Sequence, residues 1–297
     1  MTPRSHTDHL TRSTDRLLAP AVHGFYFQTL AENSGALLAA VTSMSSRPGH
    51  VITLDHGLGT LTAALAAPLP IRYGITVASV QATAREVTVQ TSGGSVYADA
   101  VIIATPGAAA LSMLADPNDL ERKLMATSYS AGLLVGVTLE HALDADECRG
   151  AYGVLIAPAD REGLAAIAVG SRTGQRPEHL EPREVITAML APPAAARLRD
   201  ASDDQVATEA VEMLGRYLPN VGARVIGTEV VRWDQAMPYT PVGRARDTAT
   251  YRSGLAVDAR IVLAGDYLGF PWTDSAAFNG AWAAQHVIAS LRPRSAP

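Results

Sequence analysis

Apolar and polar positions alternate along this chain in short segments, and most of its elements can be read from that pattern. After a polar opening, "LLAPAVHGFYFQTLAENSGALLAAVTSM" carries apolar residues at helical spacing, with an interruption expected near Gly24. "GHVITLDHGLGTLTAALAAPL" reads as a short strand, a glycine turn and a helix. "IRYGITVASVQATAREVTVQTSGGSVYADAVIIATP" alternates with β-branched residues and predicts a ribbon that turns at Ser92-Gly93-Gly94. Its last strand, "AVIIAT", is apolar on both faces and is expected to be covered on both. A helix is expected from about Ala108, then a strand at "AGLLVGVTLEH" and two more in "GVLIAPADREGLAAIAVGSR", joined by a turn at Asp160 to Gly163.

"EPREVITAMLA" and "DDQVATEAVEMLGRYL" are read as helices. In the second, Ala207, Ala210, Val211, Leu214 and Leu218 share one face, and Asp203 and Asp204 stand where an N-cap belongs. "ARVIGTEVVRWDQAMPY" predicts a strand ending in aromatics. The close, "IVLAGDYLGFPWTDSAAFNGAWAA", reads as a buried strand, a Gly-Asp turn, an aromatic loop and a small-residue helix.

Composition narrows the class. At 297 residues, 47% hydrophobic and 18% charged, the chain can bury a sizeable core in one large domain or two moderate ones. A formal net charge of −5 and the lack of any basic block give no footprint for nucleic acid. Lys123 is the sole lysine, while arginine and alanine abound, a high-GC bacterial bias. The single cysteine, Cys148, excludes intrachain disulfides. Histidines 23, 50, 56, 141, 179 and 286 have no metal-ligand spacing, so no metal is expected. The opening segment has no apolar signal-peptide region and no apolar run reaches membrane-spanning length, so a cytoplasmic protein is expected.

The strand, Gly57-x-Gly59 and helix of "VITLDHGLGTLTAALA" imitate a dinucleotide-binding turn. That fingerprint needs a third small residue where Thr62 stands and a ribose-binding acid about 20 residues further on. No acidic residue occurs between Asp55 and Glu86. A tight turn into a helix is the better reading.

The order of elements resembles the C-terminal part of the flavin-containing amine oxidase and protoporphyrinogen oxidase superfamily. The matching pieces are "GLGTLTAALA", the ribbon ending "VIIATP", "VRWDQAMPYTPVG", and "IVLAGDYLG" with "AAFNGAWAA". The resemblance implies an α+β or α/β chain with a truncated FAD-linked-oxidoreductase-like fold: a substrate domain with mixed sheet and helices, plus a remnant of the FAD-binding domain. Residues 1–19 would form a polar N-terminal segment and 20–297 the amine-oxidase-like body. The substrate-binding part would cover about 108–240, and the FAD-binding remnant about 50–107 and 241–290. The family's opening strand with G-x-G-x-x-G, which holds the FAD pyrophosphate, has no counterpart before residue 50. This chain alone is therefore expected to bind no cofactor, and FAD only if a partner supplies the nucleotide-binding half. The strands at Val101–Thr105 and Ile261–Gly265 would either pair with each other or leave apolar edges.

The resemblance also places a site. Gly265 and Asp266 match the family's Gly-acid pair, with Thr273 and Asp274 at the start of the last helix as further cofactor contacts if a flavin is bound. Thr273 or Asp274 would also serve as the helix N-cap. Trp272 takes the place of an aromatic that faces the flavin, and Trp233 and Tyr239 are candidates for the opposite wall. His23, Tyr26, Trp233 and Thr273 would line the substrate pocket, with Asp274, Tyr239 and Trp272 as catalytic groups. The lysine that positions a water in amine oxidases is replaced at about Val135, which disfavours an oxygen-using amine oxidase.

The leading expectation is a small-molecule tailoring enzyme of secondary metabolism, performing non-redox cyclisation or isomerisation of an apolar metabolite. One alternative is the substrate half of a split FAD-dependent oxidoreductase; another is a non-catalytic ligand-binding protein. A homodimer and a nucleotide-binding partner chain are the two assemblies this reading allows.

Overall fold

The computed structural model describes residues 16, 18–45, 54, 56–157, 163–173 and 183–291. The strand expected within 50–53, the turn expected at 160–162, and His50 and His179 lie outside the described residues. In chain order the elements are α1 (Ala19–Tyr26), α2 (Gly35–Ser45), α3 (Gly59–Ala66), β1 (Val77–Ala82), β2 (Val87–Thr91), β3 (Gly94–Ala98) and β4 (Val101–Ile103). They continue with α4 (Gly107–Met113), α5 (Asp119–Met125), β5 (Tyr129–Leu139), β6 (Gly153–Leu155), β7 (Leu164–Val169) and β8 (Glu184–Leu190). The remainder comprises α6 (Pro192–Leu198), α7 (Asp203–Leu214), β9 (Val225–Pro238), α8 (Arg244–Gly254), β10 (Ile261–Leu263) and α9 (Thr273–Leu291). No helix among the described residues is long and apolar enough to cross a membrane. The chain divides into two compact units, one formed by the described residues of 1–31, 38–70 and 130–237, the other by those of 32–37, 71–129 and 238–297.

The first unit is built on a five-stranded sheet in the order β6-β7-β8-β5-β9. Val135, Val137, Ile186 and Ala188 from this sheet pack with Leu198 of α6 and with Val206, Ala210 and Leu214 of α7. The segment "EPREVITAMLA", expected to be helical, is instead the inner strand β8. Glu184, Ile186, Ala188 and Leu190 are buried, with half-buried residues between them, a period of two. Its neighbours on both sides fix it: Ile186 lies opposite Val137 of β5 and Val169 of β7. A short apolar run is ambiguous between helix and strand, and here pairing on two edges overrides the helical preference of Ala-Met-Leu. The buried Glu184 carboxylate accepts from the Ser171 N–H (2.9 Å), Ser171 Oγ (2.5 Å) and the Val185 N–H (3.0 Å).

Two local expectations are corrected in this unit. The N-cap of α7 is Ser202, whose side chain accepts from the Gln205 N–H; Asp203 and Asp204 follow in the first turn, where they still suit the helix dipole. The interruption expected at Gly24 falls instead at Phe27, the left-handed C-cap of α1. Gly24 sits inside α1 because a Cβ there would meet Leu155 Cδ2 at 2.6 Å and Ala166 Cβ at 3.3 Å. Ser130 Oγ donates to the Tyr26 carbonyl (2.7 Å) and Gln28 Nε2 to the Met237 carbonyl (3.1 Å), which fixes the chain at the break.

The second unit holds the antiparallel ribbon β1-β2-β3 and a two-stranded parallel sheet, β4 with β10. The ribbon turns at Ser92-Gly93 as expected: Thr91 Oγ1 accepts from the Gly93 N–H and donates to the Gly94 carbonyl, and Gly94 takes φ +105°. Val101, Ile102 and Ile103 lie opposite Ile261, Val262 and Leu263, so of the two arrangements open for these strands, direct pairing is found. Both faces of β4 are packed. Ile103 joins the cluster with Leu124, Met125, Tyr251 and Tyr267, while Ile102 joins Val262, Ala264 and Ala283.

Gly107 opens α4 where a Cβ would stand 2.5 Å from the Met125 carbonyl oxygen. Gly107→Ala must push backbone against backbone, and thermal unfolding is expected to show a loss of about 1–3 kcal/mol.

Candidate functional site

Helix α8 has a polar inward stripe. Its buried residues are Arg244, Thr248 and Tyr251, spaced i, i+4 and i+7, and each bonds outside the helix. Arg244 donates from Nη1 to the Leu124 carbonyl (3.2 Å) and from Nη2 to Thr127 Oγ1 (2.5 Å). Thr248 Oγ1 donates to the Leu268 carbonyl (2.8 Å), and the Tyr251 hydroxyl accepts from the Leu263 N–H (2.9 Å). Burial draws the Arg244 pKa below the usual arginine range, with Asp247 opposing that shift.

The last arginine of α8, Arg252, faces α9. Arg252 Nη2 donates to Asn279 Oδ1 at 2.5 Å, and Asn279 Nδ2 donates back into α9 at the Ser275 carbonyl (2.8 Å). The guanidinium lies 5.0 Å from the ring centres of both Phe278 and Trp282, a cation–π arrangement. Asn279 is 1% exposed and its amide holds the fork in one plane.

Between β10 and α9 runs the Gly-Asp turn. Gly265 takes φ +140°, and a Cβ there would stand 2.7 Å from the Tyr267 ring. Burial pushes the Asp266 carboxyl above the ordinary range, although its own N–H and that of Tyr267 hydrogen-bond it. At Gly269 a Cβ would overlap Ser275 Oγ.

Within this unit α8, α9 and the loop between them enclose a cavity of about 700 Å³. Its walls include Val242, Leu268, Phe270 and Phe278, and among the described residues its charged lining consists of Arg244, Arg246 and Arg252, with no carboxylate or imidazole. None of these arginines pairs with a carboxylate among the described residues. Arg244 Nε, Arg252 Nε and Thr240 Oγ1 are buried without a hydrogen-bond partner.

The residues expected from sequence fall in both units. His23, Tyr26 and Trp233 belong to the first unit, where His23 is 8% exposed inside α1 and Trp233 is 56% exposed on β9. Gly265, Asp266, Trp272, Thr273, Asp274 and Tyr239 belong to the second. None of the nine lines the cavity, although Thr240, Phe270 and Ser275 beside them do. Trp272 packs against Phe270 with ring centres 4.9 Å apart. The Trp272 carbonyl accepts from the Ala276 N–H (3.1 Å), so Trp272 holds the N-cap position expected of Thr273 or Asp274, both exposed in the first turn of α9. Tyr239 is pushed up to about 12 by burial and by a hydrogen bond with Glu32. Sequence reading missed Arg244, Arg252 and Asn279; the signal available was "PVGRARDTATYRSG", a Pro-Gly turn followed by arginines that share one helix face.

This architecture, a parallel strand pair feeding a Gly-acid turn and a long closing helix, is of the FAD-linked-oxidoreductase type. The chain belongs to the flavin containing amine oxidoreductase family, whose model matches residues 3–288. Among solved structures it is similar to a candidate protoporphyrinogen oxidase from Exiguobacterium sp. 255-15, with 18% identity and a TM-score of 0.69. That likeness covers 93% of this chain and 64% of the other. It is also similar to a putrescine oxidase bound to putrescine, with 17% identity and a TM-score of 0.65 over 79% of this chain and 53% of that one. The chain thus spans between half and two thirds of these neighbours' length. No curated protein matches it in sequence.

The starts of α3 and α4 are poorly suited to cradle the pyrophosphate of the family's flavin. Three amides at the start of α3 are engaged locally: Gly57 N–H to Leu54, Thr60 N–H to Gly57 and Leu61 N–H to Leu58. Among the described residues no neighbour approaches within 4 Å of a Cβ at Gly57 or Gly59. The amide opening α4, Gly107 N–H, is donated to the Tyr129 hydroxyl at 2.9 Å.

Because burial raises the Asp266 pKa, the folded state holds that proton more tightly than the unfolded chain. The resulting stability is fully present below about pH 4 and is lost as pH rises through the raised folded value. Asp266→Asn should therefore raise the Tm at pH 7, and the gain should vanish when melting is repeated below pH 4.

Proposed function

We propose that the chain binds a small, largely apolar molecule in the cavity between α8 and α9 and promotes its non-redox rearrangement, a cyclisation or isomerisation. The observation that carries this reading is the cavity itself, with aromatic and aliphatic walls and fixed guanidiniums. Such walls hold a flexible substrate in one reactive conformer, and fixed cationic donors stabilise charge developing on a substrate oxygen. The described lining holds no carboxylate or imidazole, so in this reading a proton is moved by a group outside it. Of the two donors proposed from sequence, the Tyr239 hydroxyl is engaged with Glu32, whereas Asp274 is exposed on the first turn of α9. In this reading Asp274, outside the lining, exchanges the proton through intervening water, and Trp272 braces Phe270 at the cavity wall.

A second reading, completion by a nucleotide-binding segment on another chain or on a longer form of this one, draws support from α3. That helix buries none of its residues, with Leu65 66% exposed and Leu58, just before it, 77%. An apolar helix that covers nothing is a surface suited to a further segment.

An absorbance spectrum separates the two. The purified chain, incubated with excess FAD and desalted, is expected to show no band between 300 and 550 nm; a retained flavin band would replace the non-redox reading with the second one.

A further inference from the structure

We propose that the cavity between α8 and α9 is selective for the carboxylate of an apolar organic acid. This rests on the reading above that the cavity is the small-molecule site, and it names the chemical class of the ligand.

Charge supplies the first part of the case. Three arginines line the cavity, and among the described residues no acid answers them within it. The nearby Asp247 carboxylate is engaged by Lys123 at 2.7 Å. A protonated amine would enter against three positive charges, while an anion would meet three counter-charges in surroundings partly shielded from water. The first turn of α8, through Arg244, Ala245 and Arg246, also lines the space, so the positive end of an 11-residue helix adds to the same preference.

Geometry supplies the second part. The Arg252 guanidinium is clamped by Asn279 and by the rings of Phe278 and Trp282, so its planar fork is already oriented before a ligand arrives. One Nη2 hydrogen bond is spent on Asn279, and Nε has no acceptor. A planar, pre-oriented fork suits a carboxylate, which presents two coplanar oxygens. Arg244, with both terminal nitrogens committed to Leu124 and Thr127, contributes field. Thr240 is 4% exposed and its Oγ1 has no partner, an unused hydroxyl in the lining.

The remaining lining decides what the anion is attached to. Val242, Leu268, Phe270 and Phe278 give mostly carbon, which accommodates an apolar body and leaves a free phosphate dianion short of donors. The selected ligand therefore has one carboxylate at the Arg252 end and a hydrocarbon or aryl body against the phenylalanines.

The test titrates the full chain with three probes: 2-naphthoate, the uncharged 2-naphthamide and inorganic phosphate. Naphthoate is expected to bind at least tenfold more tightly than the amide, with phosphate weaker than both. Arg252→Gln should weaken naphthoate at least tenfold while leaving the amide unchanged, and Arg252→Lys should restore part of the loss. If Arg252→Gln fails to fold, as a melting curve would show, the exposed Arg246→Gln carries the test with an expected loss of at least threefold.

Equal affinity for acid and amide would overturn the proposal, as would absence of binding by all three probes. Naphthoate binding indifferent to the Arg246 and Arg252 variants would also overturn it, as would arginine-dependent binding of phosphate that exceeds that of naphthoate. The spectrum described above reports separately on the reaction class. A flavin band together with arginine-dependent naphthoate binding would sink the non-redox reading and leave the ligand class standing. No band with equal acid and amide binding would do the reverse.

Discussion

The second unit depends on one parallel pairing, three residues long, of Val101–Ile103 with Ile261–Leu263. It joins segments far apart in the chain and is continued at its ends by Val101 N–H to Arg260 and Ala264 N–H to Ile103. Arg260 Nη1 adds a bond of 2.6 Å to the Asp99 carbonyl. A pair this short cannot persist on its own ladder, since isolated two-stranded sheets are marginal. Burial on both faces sustains it: the Leu124–Tyr267 cluster lies on one side and Ala264 with Ala283 on the other. Everything at the cavity follows from this, because β10 leads directly into the Gly-Asp turn and α9, and Tyr251 of α8 is tied to Leu263 of the same strand.

The cavity is where the core changes from hydrocarbon to hydrogen bonds. In α7 the inward stripe is Val206, Ala207, Ala210 and Leu214, and removing water from carbon is sufficient to seat the helix. In α8 the equivalent stripe is an arginine, a threonine and a tyrosine, each of which needs its own acceptor or donor. Such a helix has one acceptable placement, since a shift would strand Arg244 or Thr248 without partners at a cost of a few kcal/mol each. The positional demand that makes α8 expensive to bury also holds the Arg252 fork steady relative to Asn279.

This contrast explains what the sequence made legible. The ribbon with its Ser92-Gly93 turn, α7, the long strand ending at Pro238 and the closing strand–turn–helix all carry a period of two or 3.6 in apolar residues, and all are found. β8 was misread because Glu184 heads it and Ala-Met-Leu closes it, so its alternation appears only once β5 and β7 flank it. α8 gave no apolar periodicity, because "RARDTATYRSG" has hardly any apolar residue to mark a face. The cavity escaped for the same reason: aromatics and the family-like Gly-Asp turn carry the resemblance, while the arginines of α8 form no recognisable motif. Resemblance pointed to residues beside the loop that borders the cavity, Leu268 to Ser275, and not to the helix opposite it.

The Gly-Asp turn itself bears on the cofactor. A flavin-free chain would have no reason to keep Gly265 if a cofactor were its only justification, and retention would then argue for flavin. The structure removes that argument. Gly265 is required by its φ of +140° and by the Tyr267 ring, whose 1% exposure makes it one of the largest side chains buried in the unit. Asp266 likewise takes hydrogen bonds from its own N–H and from that of Tyr267, inside the turn. Both residues are explained by the chain's own packing. Retention of the motif therefore weighs on neither side, and the discriminating features become the spent amides at α3 and α4 on one hand and the uncovered face of α3 on the other.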